Sequence, residues 1–263
     1  GLPLDFNLIN TVMFNYAEQG EIEKTLKLYF LMQEQGLLPN NSAFVGILIA
    51  CGNSEALEIG IKVHAQVHTM GLSEPILATA ILDMYCKCGS MSYAHQFFDV
   101  LPTRAAPIWN TLLTGYAHHG MAEIVFKLVD QMNEECVVPD KVTFLTIISV
   151  CNHLGLVDKG LEYFEGMKKH SIIPAMKHYS CVVDLLCRVG RLEEAVSMVE
   201  RMPIQPNLAV LHILLSACHK WGNVEIGRRV FNHAMRLDEN HGAAYILMSN
   251  IYADSNMWES MLE

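Results

Sequence analysis

Residues 106–140 read APIWNTLLTGYAHHGMAEIVFKLVDQMNEECVVPD, and their pattern decides the fold. Ile108, Leu112, Leu113 and Tyr116 recur at the spacing of one helix face. His118, His119 and Gly120 interrupt that face. Ala122, Val125, Phe126, Val129 and Met132 then form a second stripe. Val137-Val138-Pro139-Asp140 ends it, since proline cannot continue a helix. The unit is a hairpin of two short amphipathic helices.

The same hairpin recurs along the chain. The first helix of each unit closes on a pentad: Tyr16–Gly20, Cys51–Glu55, Tyr85–Gly89, Tyr116–Gly120, Cys151–Gly155, Leu186–Gly190, Cys218–Gly222 and Tyr252–Asn256. Successive pentads end 35, 34, 31, 35, 35, 32 and 34 residues apart, which is the signature of a repeat architecture. Each second helix has a small residue near its start, as in Ala94, Gly160 and Ala195, so the two helices can approach closely. A lone hairpin cannot bury its apolar face, and stacking against neighbours supplies what it lacks. The expected fold is all-α, a right-handed α-solenoid of helix-turn-helix repeats.

Composition narrows the function. Charged residues make up 17% and hydrophobic ones 51% of the 263 residues, a balance that argues for a packed chain over disorder. No run of about 18 apolar residues occurs, so no membrane span is expected. The eight cysteines fall inside helical patterns, and Cys86-x-Cys88 is too tight for a common zinc spacing. They read as reduced core residues of an intracellular protein. The net charge of −10 argues against strong nonspecific nucleic-acid binding, which depends on neutralising phosphates. No signal or transit peptide is legible, and the first residues read as part of a motif.

Tetratricopeptide units share the length but favour Trp-x2-Leu-Gly-x2-Tyr. Trp109-Asn-Thr-Leu-Leu-Thr-Gly-Tyr116 with a closing Val-Pro139-Asp140 instead resembles the pentatricopeptide repeat (PPR) family. Unit lengths near 35, 35 and 31 to 32 resemble its plant PLS subclass. Residues 1–5 look like the tail of a preceding S repeat. Residues 6–207 then read as P (6–40), L (41–74), S (75–105), P (106–140), L (141–175) and S (176–207). Leu214-Leu-Ser-Ala-Cys-His219 with Gly222-Asn-Val-Glu-Ile-Gly227, then Tyr245–Ala253, resemble the E1 and a truncated E2 motif over 208–263. In the family these motifs follow the repeats of organellar C-to-U RNA editing factors.

The resemblance implies single-stranded RNA as ligand, read one base per repeat. The reading pair is the fifth and last residue of each unit: Asn10 with Asn40, Val45 with Glu74, Thr79 with Ala105, Asn110 with Asp140, Leu145 with Ala175, and Ser180 with Asn207. By the family code Asn/Asn favours C, Asn/Asp favours U and Ser/Asn favours A. Apolar Val45 and Leu145 should read weakly, and Thr79 lacks a polar partner at Ala105. The implied site is 5′-C/U-n-n-U-n-A-n-n-n-C, with the last C edited.

Eight residues past the fifth positions Thr79 and Ser180, and past His212 of the E-like segment, stand Lys87, Arg188 and Lys220, placed to meet phosphates. The same resemblance implies a mitochondrial or chloroplast location, a deaminase domain in cis or in trans, and editing accessory proteins as partners. It implies no DNA and no membrane. The alternative is a structural or RNA-stabilising subunit of an organellar ribonucleoprotein such as a mitochondrial ribosome.

Enzymatic readings find little support. His64-x3-His68 could chelate a metal across one turn, yet no third ligand suggests itself, and a structural role is expected. Glu134-Glu135 and Glu193-Glu194 point to different helix sides and make poor acid–base pairs. There is no phosphate-cradling Gly-rich loop, no nucleophile elbow and no His-x-Glu with Cys-x-x-Cys of a zinc deaminase. The chain reads as a non-enzymatic recognition factor that needs no cofactor.

Overall fold

The computed structural model describes residues 6–255. The expected repeat tail at 1–5, and residues 256–263 with the last pentad residue Asn256, lie outside them. The described residues form fifteen α-helices and no strand. They fall into two compact units that divide between Val138 and Pro139.

The first unit holds four hairpins. These are α1 (Phe6–Glu18) with α2 (Ile22–Glu34), α3 (Asn41–Asn53) with α4 (Leu57–Thr69), α5 (Pro75–Lys87) with α6 (Met91–Val100), and α7 (Ala106–His118) with α8 (Ala122–Glu134). The second holds α9 (Lys141–Leu154) with α10 (Val157–Lys169), α11 (Met176–Arg188) with α12 (Leu192–Glu200), α13 (Leu208–Trp221) with α14 (Val224–Leu237), and α15 (Gly242–Asp254). In each unit the first helices pack side by side in one layer, as α1, α3, α5, α7 and as α9, α11, α13, α15. Within each unit, each second helix packs on its own first helix and, where another first helix follows in that unit, on that one as well. This is the nearest-neighbour stacking of an α-solenoid.

The pentad spacing has a backbone cause. Gly120 sits at φ +70°, and the Met121 N–H donates to the Tyr116 carbonyl at 2.9 Å. That bond spans the pentad and closes a left-handed helix stop, a conformation in which glycine avoids a Cβ clash. The Cys51–Glu55 pentad makes the same turn with Glu55 at φ +56°, so the motif survives there without glycine.

The two short units owe their length to their second helices. Here α6 and α12 have 10 and 9 residues where α2, α4, α8 and α10 have 13. Chain exits through Leu101-Pro102 and Met202-Pro203 follow the shortened helices.

In the hairpin quoted first, Ile108, Leu112, Leu113 and Tyr116 are buried as expected. Trp109 joins them with 0% exposure, its Nε1 donating to the Arg104 carbonyl at 3.1 Å. In α8 the buried stripe is Val125, Leu128, Val129 and Met132, so Leu128 takes the place given to partly exposed Phe126. Small residues mark close approach. A Cβ on Gly160 would stand 2.5 Å from Leu185 Cδ2, and Ala94 and Ala195 are fully buried.

Candidate nucleic-acid interface

The last residue of every unit is the N-cap of the next first helix: Asn40 for α3, Glu74 for α5, Ala105 for α7, Asp140 for α9, Ala175 for α11 and Asn207 for α13. Three of these cap with their side chains. Asn40 Oδ1 accepts from the Ala43 N–H at 2.9 Å, and Asn207 Oδ1 from the Val210 N–H at 3.1 Å. Asp140 Oδ1 accepts from the Val142 and Thr143 N–H groups at 2.8 and 3.0 Å, and the Thr143 hydroxyl closes a capping box. Capping is thus the structural role of these residues, and it also orients them. A capped asparagine turns its carbonyl oxygen inward, so its other edge is the donor Nδ2. A capped aspartate has acceptors on both edges.

The fifth positions lie on the first-helix layer. Asn10 and Asn110 are buried, with 1% and 6% exposure. Asn10 Oδ1 accepts from the Asn40 N–H at 3.3 Å, so this fifth and last residue are brought together. The Thr79 hydroxyl donates to the Pro75 carbonyl at 2.9 Å and the Ser180 hydroxyl to the Met176 carbonyl at 3.0 Å. With the proton used one turn back, each hydroxyl oxygen can accept from outside.

Val45 and Thr79 line one groove of about 560 Å³ along α3, α5 and α7, together with Ile49, Ile76, Asp83, Pro107 and Thr111. Ile76 is 58% exposed there, and Val142 in the second unit is 49% exposed. Each stands three residues before a fifth position, on the same helix face. The polar pairs drew attention in the sequence, and these apolar platforms did not. An exposed β-branched residue at that fixed offset was the signal available.

The candidate phosphate contacts carry partners. Lys87 Nζ pairs with Asp83 at 2.8 Å and Arg188 Nε with Asp184 at 3.0 Å, each acid one turn back on the same helix. Asp184 also accepts from Asn152 Nδ2 at 2.8 Å. Lys220 Nζ reaches the Arg188 carbonyl at 3.5 Å. Two of these three cations are offset by carboxylates.

The other sequence candidates have structural partners. His64 Nδ1 bonds the Tyr85 hydroxyl at 2.9 Å and its ring meets Phe97 edge-on at 4.8 Å. Burial, and then neighbouring His68, hold its pKa below the ordinary value. Burial pushes the thiols of Cys51, Cys86 and Cys187 up to about 12 and those of Cys151 and Cys218 to about 11. Such thiols stay protonated at neutral pH and serve as packing groups. Among the described residues no helix is long and apolar enough to cross a membrane.

Comparison with known proteins gives this arrangement a family. The PPR repeat matches residues 9–37, 77–104, 142–172 and 177–204, and the PPR repeat family matches 104–153. A pentatricopeptide repeat-containing protein of Arabidopsis thaliana is 38% identical over 234 residues, 88% of this chain and 39% of that protein. A second, named as mitochondrial, is 37% identical over 254 residues, 96% of this chain and 41% of that protein. A third, named as chloroplastic, is 37% identical over 257 residues, 97% of this chain and 30% of that protein. The chain therefore spans well under half the length of these relatives.

Among solved structures, the pentatricopeptide repeat protein PPR10 in complex with an 18-nt psaJ RNA element has a TM-score of 0.77 at 18% identity, over 99% of this chain and 39% of that one. The PPR domain of Arabidopsis thaliana protein-only RNase P 1 in complex with tRNA has a TM-score of 0.53 at 20% identity, over 59% of this chain and 86% of that one. At these identities the likeness is one of fold. Matched repeats from residue 9 to residue 204, together with plant relatives over nearly the whole chain, place it in the pentatricopeptide repeat family.

Proposed function

We propose that this chain is a sequence-specific single-stranded RNA-binding adaptor of a plant organelle, which selects a cytidine for C-to-U editing. The observation that carries the reading is the set of side-chain caps at Asn40, Asp140 and Asn207. Each cap fixes which edge of the last residue meets a base. Asn40 offers a donor, which suits the N3 acceptor of cytosine and opposes the N3–H of uracil. Asp140 offers acceptors and suits uracil N3–H. Asn207 offers a donor to adenine N1, while the Ser180 oxygen can accept from adenine N6–H. Exposed Ile76 and Val142 provide apolar surface for bases to rest on. PPR10, whose fold this chain shares, is seen in complex with an 18-nt RNA element.

Catalysis falls to a deaminase in cis or in trans, and the E-like segment 208–263 docks protein partners. Relatives named as mitochondrial and as chloroplastic support an organelle as the location. The second reading, a structural subunit of an organellar ribonucleoprotein, draws on Asp83 and Asp184, which offset the cations meant for phosphates.

A gel shift on single-stranded RNAs carrying 5′-C-n-n-U-n-A separates the two. Asn110→Ser should move the preference at the U position toward G. Binding that ignores single-base changes at the U and A positions sinks the base-reading role and favours the structural subunit.

A further inference from the structure

Trp221, at the C-terminal end of α13, is 48% exposed, whereas Trp109 is fully buried. Its indole is held in place. Nε1 donates to the Cys187 carbonyl at the end of α11, at 2.8 Å. The fused bond of the ring lies over Gly190, where a Cβ would come within 3.2 to 3.4 Å of Cε2, Cζ2 and Cδ2. Lys220 Nζ stands 5.0 Å from the ring centroid and 3.5 Å from the Arg188 carbonyl. Arg188 is anchored through Nε on Asp184 at 3.0 Å with its side chain 51% exposed, which leaves the two terminal nitrogens for an acceptor. A large fixed aromatic surface with an ammonium over its ring, and an oriented guanidinium on the residue whose carbonyl that ammonium reaches, is the chemistry of a single-stranded nucleotide site, with the base on the indole and the phosphate met by the cations.

The position fits the track of the RNA. Ser180, Asp184 and Arg188 lie on one i, i+4, i+8 ridge of α11, so Arg188 stands about 12 Å along the helix from the base-reading Ser180. Helix α13 is the next first helix after the last reading unit. A strand leaving the Ser180–Asn207 pair has to cross it. The equivalent pentad position after α7 is held by its C-cap His119, whose Nε2 donates to the Cys86 carbonyl at 2.8 Å. A donor alone would therefore satisfy the carbonyl at the end of α11. The exposed indole exceeds what that capping role requires.

We propose that Trp221, with Lys220 and Arg188, forms a nucleotide-stacking site for the RNA immediately 3′ of the last base read, so that the E-like segment binds RNA as well as protein. The site rests on the RNA reading proposed above and on its 5′-to-3′ polarity, and it takes any base, because stacking needs only a π-face.

The test compares affinities, within each variant, for an RNA ending at the A opposite Ser180 and for the same RNA extended by three 3′ nucleotides or three abasic linkers. In the unmodified chain the nucleotides should add on the order of tenfold and the linkers far less. Trp221→Phe keeps a ring without the N–H and should retain the gain. Trp221→Gln keeps an N–H donor without a ring and should lose it. Thermal melts of both variants report the capping role separately, and each ratio is internal to one variant, so altered stability cancels. No gain in the unmodified chain, or a gain that survives Trp221→Gln, overturns the site. Sequence-dependent binding of the short RNA with no 3′ gain overturns this inference alone, and binding of none of the RNAs overturns it together with the base-reading role.

Discussion

Asp140 carries two roles on one side chain, and they can be separated. Its Oδ1 caps α9 while the carboxylate as a whole presents only acceptors. Asparagine is an equally good cap, and its outward edge becomes a donor. Asp140→Asn should therefore leave thermal stability nearly unchanged while moving the preference at that position from U to C. Asp140→Ala should lose about 1 kcal/mol of stability and the preference together. Parallel melting and single-base RNA competition would check both variants, and unchanged U preference in Asp140→Asn would break the link between cap and code.

At the scale of elements, stability depends on how closely neighbouring helices pack. Gly160 lets α10 lie against α11, with Leu185 filling the space a side chain would need. Gly160→Val should destabilise the chain by about 1–3 kcal/mol through overpacking, read as a lowered denaturant midpoint at unchanged slope.

Between α4 and α5 the close packing of Gly60 on Met84 is joined by a polar contact. His64 faces the Tyr85 hydroxyl on α5 and Phe97 on α6, has His68 on its own helix, and shares an apolar cavity with Glu74. Its folded pKa is depressed, so below the ordinary imidazole value of about 6.5 the unfolded chain holds more protons than the folded one. The stability of the neutral pair is present at pH 7 and is lost as pH falls through about 6.5. Melting temperature should drop between pH 7 and pH 5.5, and His64→Gln should show a shallower drop.

For the whole molecule, charge sets the binding regime. A net charge of −10 coexists with Lys87, Arg188 and Lys220 on the first-helix layer. If these three meet phosphates, the logarithm of affinity should fall with the logarithm of salt with a slope of about −2, taking about 0.7 per neutralised phosphate of a single strand. Asp83→Asn or Asp184→Asn removes an intramolecular competitor and should raise affinity at low salt. A titration from low to high salt measures the slope, and a slope near zero would remove these cations from the interface.

The sequence by itself determined the repeat, the helical hairpin and the place of each turn. These follow from local rules: apolar residues at helical spacing, a left-handed stop at the end of each pentad, and proline past the second helix. It also located the fifth and last residues, since both count from the same motif. Helix capping was legible in it as the commoner role of an Asn or Asp such as Asn40, Asp140 and Asn207, but it did not reveal that the Thr79 and Ser180 hydroxyls bond back into their own helices, or that Lys87 and Arg188 are held by acids. Nor did it single out Trp221. Those outcomes depend on which polar atom a neighbour has already claimed, and several neighbours are one repeat away, as in Asn10 with Asn40, Asn152 with Asp184 and Trp221 with Cys187. Periodicity fixes where a side chain stands, and tertiary packing decides which of its atoms remains for RNA.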